Sequence, residues 1–219
     1  MMVFDGFATP GKIICVGMNY PTPGRPSVAM PYPVLFLKAS STVIAPGMPI
    51  QLPRASQKVF SEGEVAVVIG KQGKHIARDR VWQHIAGLTI ANDVGAQELE
   101  GRTSQWQTGK LPDTFLPLGP RLVPLAEIPD PANLEIRLTI NDRLALQGNS
   151  SAMIFDIPAL VSYISGLATL FPGDVLVTGS PKGIGDQPAP RSIIRPGDTV
   201  SITITGLGTL TNPVVLEAT

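Results

Sequence analysis

The chain has one cysteine, Cys15, among 219 residues, so no disulfide can form within it. That fits a reducing compartment, and a cytoplasmic location is expected. Cys15 sits in the apolar run Ile13-Ile14-Cys15-Val16 and reads as a small core residue. Neither sign of charge is in excess: Lys plus Arg and Asp plus Glu both number 17. With no basic cluster, a nucleic-acid or polyanion surface is not expected. No apolar run approaches the ~20 residues of a membrane span. Met1-Met2-Val3-Phe4-Asp5 has no positive n-region and no apolar h-region, so no signal peptide is expected. The two histidines, His75 and His84, fall in a polar connection and on a short helix and read as surface or packing residues. The usual general base is therefore missing near any acidic cluster. Also lacking are a G-x-x-x-x-G-K-[ST] phosphate loop, a G-x-S-x-G elbow and a C-x-x-C pair.

Glycine and proline are plentiful, 22 of each, in a chain that is 43% hydrophobic. That combination predicts tight turns between short strands around a substantial core. The reading is a lead-in over 1–11 and one domain over 12–219. Strands are expected at Lys12–Gly17, Val34–Lys38, Val65–Ile69, Leu88–Asp93, Asp174–Gly179, Thr199–Thr205 and Thr209–Leu216. Leu134–Ile140 alternates with period two, and Asn141-Asp142 predicts a hairpin into Leu144–Leu146. One long helix is expected from Asp156, its N-cap, to Leu170, before the stop at Pro172-Gly173. Five prolines between Pro21 and Pro33 forbid regular structure there. About ten strands and one long helix make a β-rich α+β fold.

The stretch Glu62-Gly63-Glu64-Val65-Ala66-Val67-Val68-Ile69-Gly70 is a buried strand opened by two carboxylates. Residues i and i+2 share a face, so Glu62 and Glu64 repel and lose hydration together. A metal ion, basic partners or exposure to water must compensate. Asp93, ending a second apolar segment, offers a third carboxylate; an all-oxygen set suits Mg²⁺, Mn²⁺ or Ca²⁺. Lys38 and Lys110 could supply the cations that a dianionic substrate needs beside three carboxylates. Gly179-Ser180-Pro181-Lys182-Gly183 is either a tight turn or a backbone wall for a substrate carboxylate, with the Thr178 and Ser180 hydroxyls nearby.

Taken together, several segments resemble the fumarylacetoacetate hydrolase family over about Lys12 to Val215. They include Ile14-Cys15-Val16-Gly17-Met18-Asn19-Tyr20, Pro33-Val34-Leu35-Phe36-Leu37-Lys38, Glu62-Gly63-Glu64, Ala91-Asn92-Asp93-Val94, Asp113-Thr114-Phe115 and Thr178-Gly179-Ser180-Pro181. The resemblance implies a mixed β-sandwich roll, usually a homodimer, with Mg²⁺ or Mn²⁺ held by Glu62, Glu64 and Asp93. It places the family's active-site lysine on Lys110, a substrate-binding threonine on Thr178 and the strand-end lysine on Lys38. Family members act on 2-oxo acids and β-dicarbonyls, some from aromatic catabolism. Two departures stand out. The loop Pro21–Pro33 has neither the His nor the Glu of the family's lid, and Gln97 stands where an arginine is frequent. Glu98 or Glu100 is the replacement base that remains.

The expectation is a metal-dependent isomerase or tautomerase that enolises a small 2-oxo or 2-hydroxy-dienoic acid. Lys110 and Glu98 are its expected catalytic residues, and Lys38, Thr178 and Gln97 its substrate contacts. C–C hydrolysis or decarboxylation with a rewired base is the alternative, and a non-catalytic metal- and acid-binding relative a further one.

Overall fold

A computed structural model of the chain describes residues 2–4, 7–24, 30–184, 187–188 and 190–218. Part of the proline-rich loop, 25–29, lies outside the described residues.

Two seven-stranded sheets dominate the fold. In the first, Gly63–Ile69 runs antiparallel to both Val175–Val177 and Ile85–Asn92. Ile13–Gly17 pairs parallel to Val175–Val177 on its other side, and Leu116–Val123 continues the sheet beyond Ile85–Asn92. The second sheet is built around Glu135–Ile140, Arg143–Asn149, Thr199–Ile204 and Gly208–Leu216, all antiparallel neighbours. A three-stranded sheet of Gly95–Ala96, Val59–Ser61 and Ser192–Ile194 stands beside them.

The strand Gly63–Ile69 is buried at every position. Its side chains alternate between two cores. Val65, Val67 and Ile69 join Ile136, Leu138, Ile202 and Ile204 between the large sheets, while Ala66 and Val68 join Ile13, Cys15, Leu116 and Val177 on the opposite face. That is why the run is continuously apolar rather than alternating. Each fully buried Val or Ile contributes about 1.5–3 kcal/mol relative to exposure, so this strand anchors whatever stands at its ends.

The expected hairpin forms, with Asn141 and Asp142 at φ 50° and 63° and Ile140 paired with Arg143. Two positive φ angles in a two-residue loop are the turn geometry that matches strand twist. The helix starts where expected: the Asp156 carboxylate accepts the Ala159 N–H at 2.8 Å. It ends at Leu167, three residues short of the expected Leu170, because Leu170 instead bridges back to Gly73. Leu116–Val123 is a strand although Pro117 and Pro120 interrupt its sequence pattern. Among the described residues, no helix is long and apolar enough to cross a membrane.

Candidate metal centre

Register places the three carboxylates together. Gly63 pairs with Asn92, so the residues just outside that pair, Glu62 and Asp93, face one another, and the Asp93 N–H donates to the Glu62 carbonyl at 2.9 Å. Glu62 is itself the break between Val59–Ser61 and Gly63–Ile69, which belong to different sheets. Glu64 lies two residues further along. One oxygen from each of Glu62, Glu64 and Asp93 lies within 4.8 Å of the others. The donors are all carboxylate oxygens, the set that hard divalent cations prefer and that thiolate- or imidazole-seeking metals do not. The residues therefore fit a bound hard divalent cation.

Three ammonium groups surround them. Lys110 Nζ reaches Glu62 Oε2 at 2.8 Å and Asp93 Oδ2 at 2.9 Å, and it also donates to the Asp93 carbonyl at 3.2 Å. Lys38 Nζ holds Asp93 Oδ1 at 2.7 Å and the Val94 carbonyl at 3.0 Å. Lys182 Nζ holds Glu62 Oε1 at 2.6 Å. Glu64 instead accepts the Gly179 N–H. Gly179 has φ +96°, open to glycine alone without strain, and this turns its N–H toward Glu64.

These partners divide the acids. Burial opposes ionisation of Glu62, but the ammonium groups of Lys110 and Lys182 outweigh it and hold Glu62 well below the usual carboxylate range. Glu64 moves the other way. Burial first, then the charges of Asp93 and Glu62, push it well above that range, against Lys110 and the Gly179 N–H. Burial disfavours the charged form of Lys110, yet Asp93 and Glu62 raise its pKa strongly, so it stays an ammonium. For Lys38 burial wins over Asp93 and its pKa falls.

The cluster opens into a cavity of about 350 Å³. Lys110, Lys182, Arg191, Glu100 and Ser180 line its polar side, and Phe36, Phe60 and Trp106 its aromatic side. Lys110 arrives on the 3-10 turn Trp106–Lys110, tied to the short helix Gln97–Glu100 by Thr108 Oγ1 donating to the Leu99 carbonyl at 2.8 Å. Gly95 leaves room for the Phe60 ring; a Cβ there would overlap it.

Four expected site residues stand elsewhere. Lys38 has no side-chain exposure and lies behind Asp93 rather than on the cavity wall. The Thr178 hydroxyl, also buried, donates to the Val65 carbonyl at 2.9 Å, while Ser180 two residues on lines the cavity. Gln97 is exposed, and its backbone N–H binds the Lys58 carbonyl at 3.0 Å. Glu98 faces the loop before Val59, accepting from the Ser56 hydroxyl and from the Gln57 and Lys58 N–H groups. Of the two replacement bases, Glu100 alone is on the cavity wall. Lys182 and Arg191 were not anticipated. Lys182 lay in a glycine-rich loop already singled out, whereas Arg191 gives no local signal.

A family model described as the fumarylacetoacetate hydrolase C-terminal domain matches residues 12–215. The mitochondrial oxaloacetate tautomerase fahd2 of Xenopus laevis is 42% identical over 210 residues, covering 94% of this chain and 66% of that protein. The chain thus spans about two thirds of the length of that relative. A 5-carboxymethyl-2-hydroxymuconate delta-isomerase from Mycobacterium smegmatis superposes with a TM-score of 0.86 at 41% identity, over 96% of this chain and 81% of that one. A maleylpyruvate hydrolase from Sphingobium sp. SYK-6, solved with manganese(II) and pyruvate, superposes with a TM-score of 0.81 at 30% identity, over 96% and 72%. With a family model matching residues 12–215 and a relative 42% identical over 94% of the chain, the chain belongs to the fumarylacetoacetate hydrolase family.

Proposed function

We propose that residues 12–219 form one catalytic unit, a metal-dependent isomerase that interconverts keto and enol forms of a small 2-oxo acid. The observation that carries this reading is the convergence of Glu62, Glu64 and Asp93 with Lys110 at the mouth of one cavity. Mg²⁺ or Mn²⁺ would be held by the three carboxylates; bound there, it would act as a Lewis acid for the oxygens of an oxo acid.

The chain's own groups supply the rest. Lys110, whose pKa Asp93 and Glu62 raise against burial, serves as a hydrogen-bond donor to the developing enolate oxygen. Its three N–H groups are engaged here, and the longest bond, 3.2 Å to the Asp93 carbonyl, is the one a substrate oxygen can replace. Lys38 and Thr178 act as positioning residues. Lys38 fixes Asp93, and Thr178 fixes the strand end from which Gly179 reaches Glu64. Among the described residues, Glu100 is the cavity-lining carboxylate outside the cluster. It accepts the C3 proton of the keto form while the enolate oxygen takes a proton from solvent water, and both transfers run backward in the reverse direction. Phe36, Phe60 and Trp106 shield the reacting carbon from water.

A cytoplasmic homodimer acting on oxaloacetate-like acids or dienoic acids of aromatic catabolism belongs to the same reading. The similarity to a maleylpyruvate hydrolase supports C–C hydrolysis as a second reading. Following the enol absorbance of oxaloacetate with Mg²⁺ tests the first, and chromatography for a cleaved acid tests the second. Unchanged tautomerisation in Glu64→Ala would falsify the metal role.

A further inference from the structure

We infer that Arg191 is a positioning residue for Glu100: its guanidinium, seated on the Phe60 ring, fixes the carboxylate that carries the C3 proton. This deepens the proton-transfer role given to Glu100 above and rests on it.

The small three-stranded sheet builds the contact. Val59–Ser61 is its middle strand, with Gly95–Ala96 on one edge and Ser192–Ile194 on the other. Phe60 pairs with Gly95 on one side and with Ile193 on the other. Glu100 ends the short helix that follows Ala96, and Arg191 immediately precedes Ser192. The two edges thus deliver a carboxylate and a cation to one central ring. Arg191 Cζ lies 4.1 Å from the Phe60 centroid, and Nη1 donates to Glu100 Oε2 at 2.7 Å.

Glu100 needs such a holder. The helix Gln97–Glu100 is a single turn, too short to be stable alone, so it does not fix the side chain at its last position. Gly109 lets the stem of Glu100 lie against the turn that carries Lys110; a Cβ at Gly109 would overlap Glu100 Cγ. That contact places the stem, and the Arg191 bond sets the head. The bond occupies Oε2, so the proton falls to Oε1. The Glu100 side chain is 12% exposed and that of Arg191 49%, so the cation comes from the solvent side while the carboxylate stays inside.

The same ring spaces the two working groups. Phe60 is buried, and Lys110 Nζ lies 4.7 Å from its centroid. The donor to the enolate oxygen and the holder of the base therefore share one fixed reference. Proton removal from C3 needs both groups in place at once, and a misplacement of about 1 Å costs about 10²-fold in rate. Arginine suits this position because its planar group stacks on a ring and still donates in its own plane.

The test follows oxaloacetate tautomerisation with Mg²⁺ in wild type, Arg191→Met, Glu100→Gln and the double variant. Mn²⁺ affinity by calorimetry, expected to stay within about twofold throughout, reports folding of the carboxylate cluster. Where Arg191→Met loses Mn²⁺ binding, Arg191→Gln carries the same comparison. Arg191→Met should lower kcat about tenfold or more and leave KM within about twofold. Placed on Glu100→Gln, it should cost less than about twofold further, because it acts through Glu100. Full additivity in the double variant overturns the inference, as does a raised KM with unchanged kcat; both make Arg191 a direct substrate contact. Wild-type kcat in Arg191→Met, with Glu100→Gln slow, overturns it and leaves Glu100 standing as the proton carrier. Wild-type kcat in Glu100→Gln overturns both.

Discussion

Lys38 Nζ lies 2.7 Å from Asp93 Oδ1 with 0% and 3% side-chain exposure, an ion pair closed to water on both sides. Removing one partner of a buried pair costs about 3–5 kcal/mol, because the other charge is left uncompensated. Lys38→Met should therefore lower urea stability by about that amount in the metal-free protein, softened by Lys110 on the other oxygen. Added Mn²⁺ should restore part of the loss. Equal stability of variant and wild type in chelator would show that the pair contributes nothing.

Glu64 is the acid held by a backbone N–H instead of a lysine. Glu64→Gln keeps its shape and removes its charge. Mn²⁺ affinity, read by calorimetry, should drop about 100-fold or more, beyond what loss of a supporting group costs. The metal-free variant should be at least as stable as the wild type, since burial and two like charges disfavour the ionised form.

The pH dependence follows from the same residue. The folded pKa of Glu64 is raised above its ordinary 4.5, so the folded state holds a proton that the unfolded state has released. That stabilisation is complete below 4.5 and disappears as pH rises through the raised folded value. Glu62 has the opposite sign: its lowered pKa contributes stability above 4.5 that is lost as pH falls toward the lowered value. Melting of metal-free protein between about pH 5 and about pH 8 should accordingly weaken with pH at Glu64. The extra stability from Mn²⁺, which takes the proton's place, should grow over that range. A metal effect that shrinks with rising pH would contradict the assignment.

For turnover, Lys110→Met should slow oxaloacetate enolisation about 10²–10³-fold, the usual cost of losing one oxyanion donor. Glu100→Gln should cost about 10² or more, as expected for a proton carrier. Glu98→Gln is the control. Its carboxylate faces Ser56 and the Gln57–Lys58 backbone, so its rate should stay within about twofold. A large loss in Glu98→Gln with none in Glu100→Gln would reverse the two roles.

The strand pattern and the three carboxylates were readable from the chain because both obey local rules. Val65 to Ile69 is apolar throughout since both faces are covered, and Glu62, Glu64 and Asp93 stand where two such strands end. Leu116–Val123 escaped because its prolines break the period-two signal while its backbone still pairs. Lys38 was read as a substrate contact because sequence gives its position at a strand end but not its depth. Arg191 comes from a distant segment, and only folding brings it over Phe60. Long-range pairing of cations is set by sheet topology, which no local window contains.

Cys15 pairs with both Val177 and Phe36 in the middle of the first sheet and is fully buried, its thiol pushed well up in pKa by burial and by nearby Asp93. As the sole sulfhydryl of the chain, it is a reporter that needs no engineering. A thiol reagent can modify it only when the central strands separate, so the labelling rate measures how often the molecule opens around its own carboxylates. Saturating the carboxylates with Mn²⁺ should slow that labelling in proportion to the occupancy gained, giving a readout of metal affinity from a residue that never touches the metal.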